Sequence, residues 1–96
     1  MIDKYETENS IYYVDIPGRR YMRRPIWETT PHSPRLEYGV WLPLADRDDA
    51  VEFVKPEGFR APETMRPSLR IMHAESVHGI VTTQVFSHSQ VESVDE

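Results

Sequence analysis

The apolar residues of this chain occur in short runs that are separated by proline, glycine and polar clusters. Five runs, at residues 9–16, 19–28, 36–44, 68–75 and 80–88, are rich in Val, Ile and aromatic residues, which fit a pleated, half-buried surface. Each of these runs predicts a β-strand. The eight prolines lie between positions 17 and 67. Because a proline inside a helix costs about 3 kcal/mol, long helices are excluded from this part of the chain.

Two glycine-containing pairs predict chain reversals. Pro17-Gly18 suits the centre of a type II turn, although that turn matches the twist of a hairpin poorly and a looser reversal is an equal alternative. His78-Gly79 suits a two-residue hairpin turn, because glycine tolerates a positive φ. In that register Ile71 faces Phe86, Met72 faces Val85 and His73 faces Gln84. A longer loop would change the pairing.

Residues 45–55 are the one segment that can form a helix. Asp46 can serve as the N-cap, and Asp48 and Asp49 fall in the first turn, where the helix dipole favours anions. Pro56 then ends the segment. The competing interpretation is an acidic turn followed by a strand over residues 50–55.

These elements predict an α+β fold that is mainly β. It consists of a small antiparallel sheet of four to five strands, which can curl into a barrel-like sheet, with one short helix. A chain of 96 residues allows a single small domain, residues 1–96. Residues 1–8 and 89–96 are expected to fray, as polar termini often do.

Composition narrows the class of protein. No apolar stretch approaches the ~20 residues of a membrane span, and the first residues do not resemble a secretory leader. The chain has no cysteine, which excludes disulfides and thiolate chemistry. We therefore expect a cytoplasmic protein with no membrane partner. Arginine outnumbers lysine nine to two, a codon-usage trait that we associate with GC-rich bacterial or phage genomes.

Charge is distributed unevenly along the chain. The net charge is −5, but residues 17–35 carry five arginines against one glutamate. Guanidinium groups bind carboxylates and phosphates bidentately, and aromatic rings offer stacking surfaces. This segment is therefore the candidate partner-binding site, and its candidate residues are Arg19, Arg20, Tyr21, Arg23, Arg24 and Trp27.

A structural explanation of the same arginines competes with the functional one. Alternate residues of a strand point to opposite faces, so Arg19 and Arg23 need not lie with Arg20 and Arg24. In a tight hairpin, Asp15 would stand opposite Arg20 and neutralise it. Charged edge strands also prevent aggregation between sheet edges.

Signals for catalysis and for metal binding are weak. The histidines, at 32, 73, 78 and 88, include no pair with the i, i+4 spacing of a helical zinc site. The four glycines are too far apart to form a phosphate-binding loop, and no serine lies in a nucleophile-elbow motif. We expect no enzymatic activity, no catalytic residues, no metal and no cofactor.

The sequence therefore favours a non-enzymatic binding module. It would be an accessory or regulatory protein that engages a protein partner with an acidic surface, or its own copy as a homodimer. The alternative is a protein that binds single-stranded nucleic acid through the same Arg, Tyr and Trp residues. The acidic pI, near 5.3, makes nucleic acid the less favoured partner because it repels polyanions at long range.

Overall fold

A computed structural model describes residues 1–26, 39–55, 66–74 and 79–94 of the chain. Within these residues, seven strands form one antiparallel sheet and no helix occurs. In chain order the strands are β1 Ile2–Thr7, β2 Ser10–Asp15, β3 Arg20–Pro25, β4 Leu42–Pro43, β5 Val51–Val54, β6 Ser68–Met72 and β7 Gly79–Val91. Their order across the sheet is β4-β3-β2-β1-β7-β6-β5.

The prediction of a mainly β, antiparallel fold is confirmed, but the predicted helix and the strand count are wrong. Residues 46–50 form bends and turns, and the chain then enters β5. The alternative of a turn followed by a strand is therefore the correct one. The reason is tertiary, since β6 offers β5 a pairing edge on which Val51 faces the buried Ile71 and Glu52 faces Arg70. The Glu52 carboxylate forms an ion pair with the Arg70 guanidinium.

The N-terminal residues, which were expected to fray, form the centre of the sheet. Strand β1 lies between β2 and β7 and pairs with both along its length. Its alternating pattern places Tyr5 and Thr7 inside, while Ile2 packs on the opposite face. At the other terminus, β7 continues to Val91, beyond the predicted start of fraying at residue 89.

The predicted strand over residues 36–44 is only partly reproduced. Residues 36–38 lie outside the described part of the chain, and the strand there is β4, two residues long. It pairs with β3 and lies at one end of the strand order, so it is an edge strand of the sheet.

The hairpin of β6 and β7 exists, but its predicted register is wrong. Ile71 faces Ile80 and Met72 faces Gly79, instead of the predicted Phe86 and Val85. A tighter hairpin is prevented because the end of β6 and the residues after it form hydrogen bonds with residues 43–45. The Ala45 N–H donates to the Met72 carbonyl (2.9 Å), and the Ala74 N–H donates to the Pro43 carbonyl (3.1 Å).

Strand β7 makes the sheet curl. Its first half pairs with β6 and its second half pairs with β1, and both ladders shift register near the middle of the strand. Such irregularities bend a strand and increase its twist. A bridge between Leu44 and His73 then brings the chain after β4 against the end of β6. The sheet is therefore a half-barrel, in agreement with the predicted curl.

The curl separates two apolar clusters on opposite faces. The outer cluster contains Ile2, Tyr13 and Met22, with Trp41 and Val94 packed against them. The inner cluster fills the half-barrel and is the main core: Tyr5, Tyr12, Val14, Tyr21, Leu44, Ala45, Ala50, Leu69, Ile71, Met72 and Val85. The two-residue alternation of β2 and β3 assigns neighbouring side chains to different clusters.

We expect engineered cysteines to report the register of β6 and β7. Arg70 faces Val81 in the structure, whereas the predicted register would place Arg70 opposite Ser87. Because residues that face each other have Cβ atoms about 4.5–5.5 Å apart, the variant Arg70→Cys/Val81→Cys should oxidise to a disulfide. The control variant Arg70→Cys/Ser87→Cys should stay reduced, because six residues of strand separate the two positions by roughly 20 Å.

Free-thiol titration and mass spectrometry after mild oxidation measure both variants, and the chain has no other cysteine to interfere. A disulfide in the control variant alone would contradict the register.

Candidate functional site: the arginine-rich hairpin of β2 and β3

The arginine segment forms the second strand of a hairpin with a four-residue loop. Asp15 faces Arg20 across the ladder, which confirms the predicted pair, and residues 16–19 connect them. The Asp15 carboxylate accepts hydrogen bonds from the Arg20 Nε–H (2.8 Å) and from the Gly18 N–H (3.1 Å). The bond from Arg20 is the main cause that lowers the pKa of Asp15. One carboxylate thus fixes the loop and holds the first arginine of β3.

Of the two reversals that Pro17-Gly18 predicts, the structure has the looser one and not the type II turn. A type II turn requires a positive φ at Gly18, but the residue with a positive φ is Arg19, at 50°. Gly18 is required for a different reason. A Cβ atom at this position would collide with the Asp15 side chain, whose Cγ would lie 2.9 Å away. Glycine therefore gives the Asp15 carboxylate room to bind the loop.

Arg19 reaches away from the hairpin toward the acidic turn before β5. Its guanidinium forms an ion pair with Asp46, and both side chains are mostly exposed. Exposed pairs of this kind contribute about 0–1 kcal/mol. The pair therefore holds Arg19 only weakly and leaves it accessible.

Alternation along β3 divides the remaining arginines between the two faces of the sheet. Tyr21 lies in the inner cluster and Met22 in the outer one. Arg20 and Arg24 are consequently on the outer side and Arg23 on the inner side. The predicted division of the arginines, with Arg23 on the other face from Arg20 and Arg24, is what the structure shows.

On the outer side, Arg20 lies over an aromatic ring. Its Cζ atom is 4.1 Å from the centre of the Trp41 ring, within the range of a cation–π interaction. Arg24 lies farther along the same side, where Nη1 donates a 3.4 Å hydrogen bond to the Val94 carbonyl. We call Arg20, Arg24 and Trp41 the outer arginine surface.

Sequence reasoning did not assign Trp41 to the site. This residue belongs to the run over residues 36–44, which was predicted only to form a strand. No spacing rule connects Trp41 to Arg20, because their contact depends on the antiparallel pairing of β3 with β4. The sequence analysis had expected the aromatic residues beside the arginines to be Tyr21 and Trp27, which belong to the arginine segment itself.

Tyr21 is placed in the core rather than on a surface. Its side chain is fully buried, and its hydroxyl group lies 2.9 Å from Nδ1 of His73. Burial raises the pKa of Tyr21 to about 12. A partner has no access to this ring, so Tyr21 acts as a link between β3 and the end of β6.

Arg23 and Trp27 complete the set of predicted site residues. The Arg23 Nε–H donates to the Ser10 hydroxyl oxygen (3.0 Å), and the guanidinium lies 5.9 Å from the centre of the Tyr12 ring. Arg23 therefore belongs to the inner side, away from the outer arginine surface. Trp27 lies outside the described residues, so its role stays a prediction.

The described residues offer few other features of functional interest. They contain no group of three or more His, Asp or Glu side chains positioned to hold a metal ion. In the same residues no helix is both long and apolar enough to cross a membrane.

Comparisons with protein families, with curated proteins and with solved structures give no match for this chain. The arguments about function therefore depend on the geometry of the chain itself.

Replacing Arg19 tests the conformation of the loop. A side chain with a positive φ costs roughly 1–2 kcal/mol that glycine does not incur. Arg19→Gly should therefore be about 1 kcal/mol more stable than Arg19→Ala, because both variants lose the ion pair and only one keeps the strain. Urea denaturation measures the difference. Asp46→Asn, which breaks the pair without changing φ, should shift stability by less than about 1 kcal/mol; equal stability of the two Arg19 variants would contradict the assigned φ.

Alkaline pH should destabilise the protein through Tyr21. The folded-state pKa, about 12, exceeds the ordinary value of 10.0, so the folded protein keeps the proton more tightly than the unfolded chain. The contribution of the Tyr21 proton to the free energy of unfolding is complete below pH 10 and is lost as the pH rises toward 12. A difference of two pKa units corresponds to on the order of 2–3 kcal/mol.

Denaturation of Tyr21→Phe at pH 8 and at pH 11.5 measures this effect. The variant should be less pH-dependent than the wild type over this range. Some dependence should persist, because burial also raises the pKa of Tyr5, and Tyr5→Phe/Tyr21→Phe should remove more of it. If the free energy of unfolding changed equally between pH 8 and pH 11.5 in the wild type and in Tyr21→Phe, Tyr21 would not titrate in this range.

Proposed function

We propose that this protein is a non-enzymatic binding module that engages a protein partner with an acidic surface through the outer arginine surface. The observation that carries the proposal is the position of Arg20, 4.1 Å over the ring of Trp41 and beside Asp15. Arg and Trp are among the residues that are most enriched at the energetic centres of protein interfaces. The two occur together here on the outer side of the sheet.

The outer arginine surface is held in place before any partner arrives. The ion pair to Asp15 and the contact with Trp41 restrict the Arg20 side chain, so less conformational entropy is lost when a complex forms. A guanidinium has five N–H groups and can bind more than one acceptor at once. A carboxylate of a partner can therefore join Asp15 on Arg20 without displacing it.

Arg20 is accessible while it is held. Its side chain is 45% exposed, although its pairing carboxylate on Asp15 is only 16% exposed. Trp41 is half-buried against the outer cluster, which leaves part of its ring for contact. A guanidinium that is held in place but partly exposed, next to a ring that is partly exposed, suits the centre of an interface.

Arg24 and Arg19 would contribute at the margin. Arg24 shares the outer side, and Arg19 extends the positive charge to the end of the hairpin. Charges at the margin of an interface act mainly on the association rate and its salt dependence. Trp27 stays in the proposal as a predicted contact, whereas the buried Tyr21 is not part of the surface.

Nucleic acid is the less favoured partner for the same site. Base stacking needs exposed rings, and the ring of Tyr21, one of the two predicted stacking residues, is buried in the core. The net charge of −5 also opposes the approach of a polyanion.

A second copy of the chain is the other alternative to an acidic partner. A cytoplasmic location and an accessory or regulatory role belong to this proposal.

Variants of the outer arginine surface test the proposal. The protein is immobilised as wild type, as Trp41→Ala, as Arg20→Ala/Arg24→Ala, and as the control Arg66→Ala. Arg66 is an exposed arginine that precedes β6, where its Nη1 donates to the Phe86 carbonyl. Proteins captured from nuclease-treated lysate are quantified by mass spectrometry, and the binding of each purified candidate is then measured by calorimetry.

A supporting result is a partner that the wild type and Arg66→Ala both bind with the same affinity, and that the surface variants lose. Trp41→Ala should weaken binding by about 30-fold or more, the size of a hot-spot effect. Arg20→Ala/Arg24→Ala should also weaken binding by raising the dissociation rate, because Arg20 is central, and the loss of Arg24 should lower the association rate and flatten its dependence on salt. Unchanged binding by all variants would refute the proposal.

Two further measurements test the alternatives directly. Trp fluorescence during titration with a mixed-sequence oligonucleotide at low salt would reveal nucleic-acid binding, which is strongest under that condition. Light scattering would reveal a homodimer, and its loss in Trp41→Ala would place the outer arginine surface at the contact between two copies.

A further inference from the structure

The outer arginine surface is partly covered by the chain itself. After β7 ends at Val91, residues 92–94 form bends and a turn instead of continuing the strand. Val94 packs against the outer cluster, on the same side of the sheet as Trp41. Its carbonyl accepts the 3.4 Å hydrogen bond from Arg24 Nη1. We call residues 92–94 the covering segment.

Arg24 is the cation that the covering segment contacts. Within the described part of the chain Arg24 forms no ion pair, whereas Arg20, on the same side of the sheet, is paired with Asp15. The bond from Arg24 to Val94 is longer than the usual range of about 2.7–3.2 Å, and its acceptor is a neutral carbonyl. Carboxylates bind guanidinium groups bidentately and at shorter distances. Because Arg24 is half-buried, its charge is screened less than on an open surface, so it favours a carboxylate over this carbonyl.

The covering segment lies outside the ladders that hold the sheet. The pairing of β7 with β1 ends at Val91, before the covering segment begins. Glu92 and Ser93 are exposed, and only Val94 of the three residues packs against the outer cluster. Segments with little buried surface and no ladder hydrogen bonds open locally at low cost in free energy. The covering segment can therefore leave the outer cluster while the sheet stays folded.

The covering segment belongs to a stretch of sequence that has the chemistry of an acidic ligand. Residues 92–96 contain three acidic residues, Glu92, Asp95 and Glu96, and no basic residue. One aliphatic residue, Val94, stands among them. The side chain of Val94 lies on the outer cluster and its carbonyl lies on Arg24. Part of an acidic stretch is thus already seated beside the outer arginine surface.

We propose that the covering segment competes with the protein partner for the outer arginine surface. The partner would contribute an acidic segment with an aliphatic residue. A partner carboxylate would replace the Val94 carbonyl on Arg24, and the aliphatic side chain would take the place of Val94 on the outer cluster. This inference rests on the proposed function, because it specifies the partner of the same surface.

The competition should weaken partner binding without abolishing it. A segment tethered beside its site has an effective concentration on the order of mM, and a partner must displace it. The apparent affinity falls by the fraction of molecules in which the surface is uncovered. Release of the covering segment should therefore raise the affinity for acidic ligands.

A peptide with the sequence of residues 90–96 is the probe, since it carries the acidic and aliphatic groups of the covering segment. The ¹⁵N-labelled full chain is titrated by NMR as wild type, as Val94→Gly and as the control Ser93→Ala. Val94→Gly removes the side chain that packs on the outer cluster, whereas Ser93 is exposed in the same segment. Val94→Gly should bind the peptide about tenfold more tightly than the other two, because its surface is uncovered. The Arg24 amide and the Trp41 indole N–H should shift.

Two further titrations test the role of charge. Arg24→Gln/Val94→Gly should bind the peptide about tenfold more weakly than Val94→Gly, because a half-buried charged hydrogen bond is lost. A peptide in which glutamine or asparagine replaces the three acidic residues should bind Val94→Gly more weakly by a similar factor, since it has no carboxylate for Arg24.

A measurement on the wild type keeps the test decisive if Val94→Gly does not fold. At about 10 mM peptide, an excess over the effective concentration of the tethered segment, the amides of Ser93 and Val94 should move to the positions of an unstructured chain. These shifts would report displacement of the covering segment by the peptide.

The proposal would be overturned if the wild type and Val94→Gly bound the peptide equally or not at all. Binding that is insensitive to Arg24→Gln, or unchanged Ser93 and Val94 amides at saturation, would also overturn it. A captured partner that binds the wild type and Val94→Gly equally, but is lost in Trp41→Ala, would refute the competition and leave the proposed function standing. Tighter peptide binding by Val94→Gly, with no partner lost in Trp41→Ala, would refute the proposed function alone.

Discussion

The structure depends on a single long strand that belongs to two ladders. β7 has 13 residues, and its first half pairs with β6 while its second half pairs with β1. A straight strand would give a flat sheet, whose apolar residues would need a second layer to cover them. The irregular register in the middle of β7 instead turns the sheet toward itself. The inner cluster then lies within the curl of the sheet, and no helix in the described residues covers it.

Closure of the half-barrel depends on contacts that follow from this curl. The Leu44 segment meets the end of β6 through backbone hydrogen bonds, and Tyr21 reaches His73 from β3. These contacts join elements that are distant in sequence, about 30 and 50 residues apart. They also fix the position of β3, so the same contacts that complete the core orient the arginines on both of its faces.

The arginines of β3 differ in their surroundings because the strand presents its side chains to two faces of the sheet. On the outer side, Arg20 lies over Trp41 at the edge of an apolar cluster and can meet a large partner. On the inner side, Arg23 is half-buried and donates a hydrogen bond to the Ser10 hydroxyl group. One arginine-rich segment therefore places its guanidinium groups in two different surroundings, since adjacent residues of a strand face in opposite directions.

The sequence by itself determined that the fold is mainly β and antiparallel, the positions of most strands and the pairing of Asp15 with Arg20. These properties depend on local composition and on the two-residue period of strands, which are visible in a single chain. Only the tertiary structure decided that residues 2–7 form a central strand and that residues 51–54 form a strand rather than a helix. It also decided that Trp41, rather than a residue of the arginine segment, lies under Arg20. Each of these outcomes depends on a pairing edge supplied by a distant part of the chain, and the energy of such a contact is absent from any local pattern.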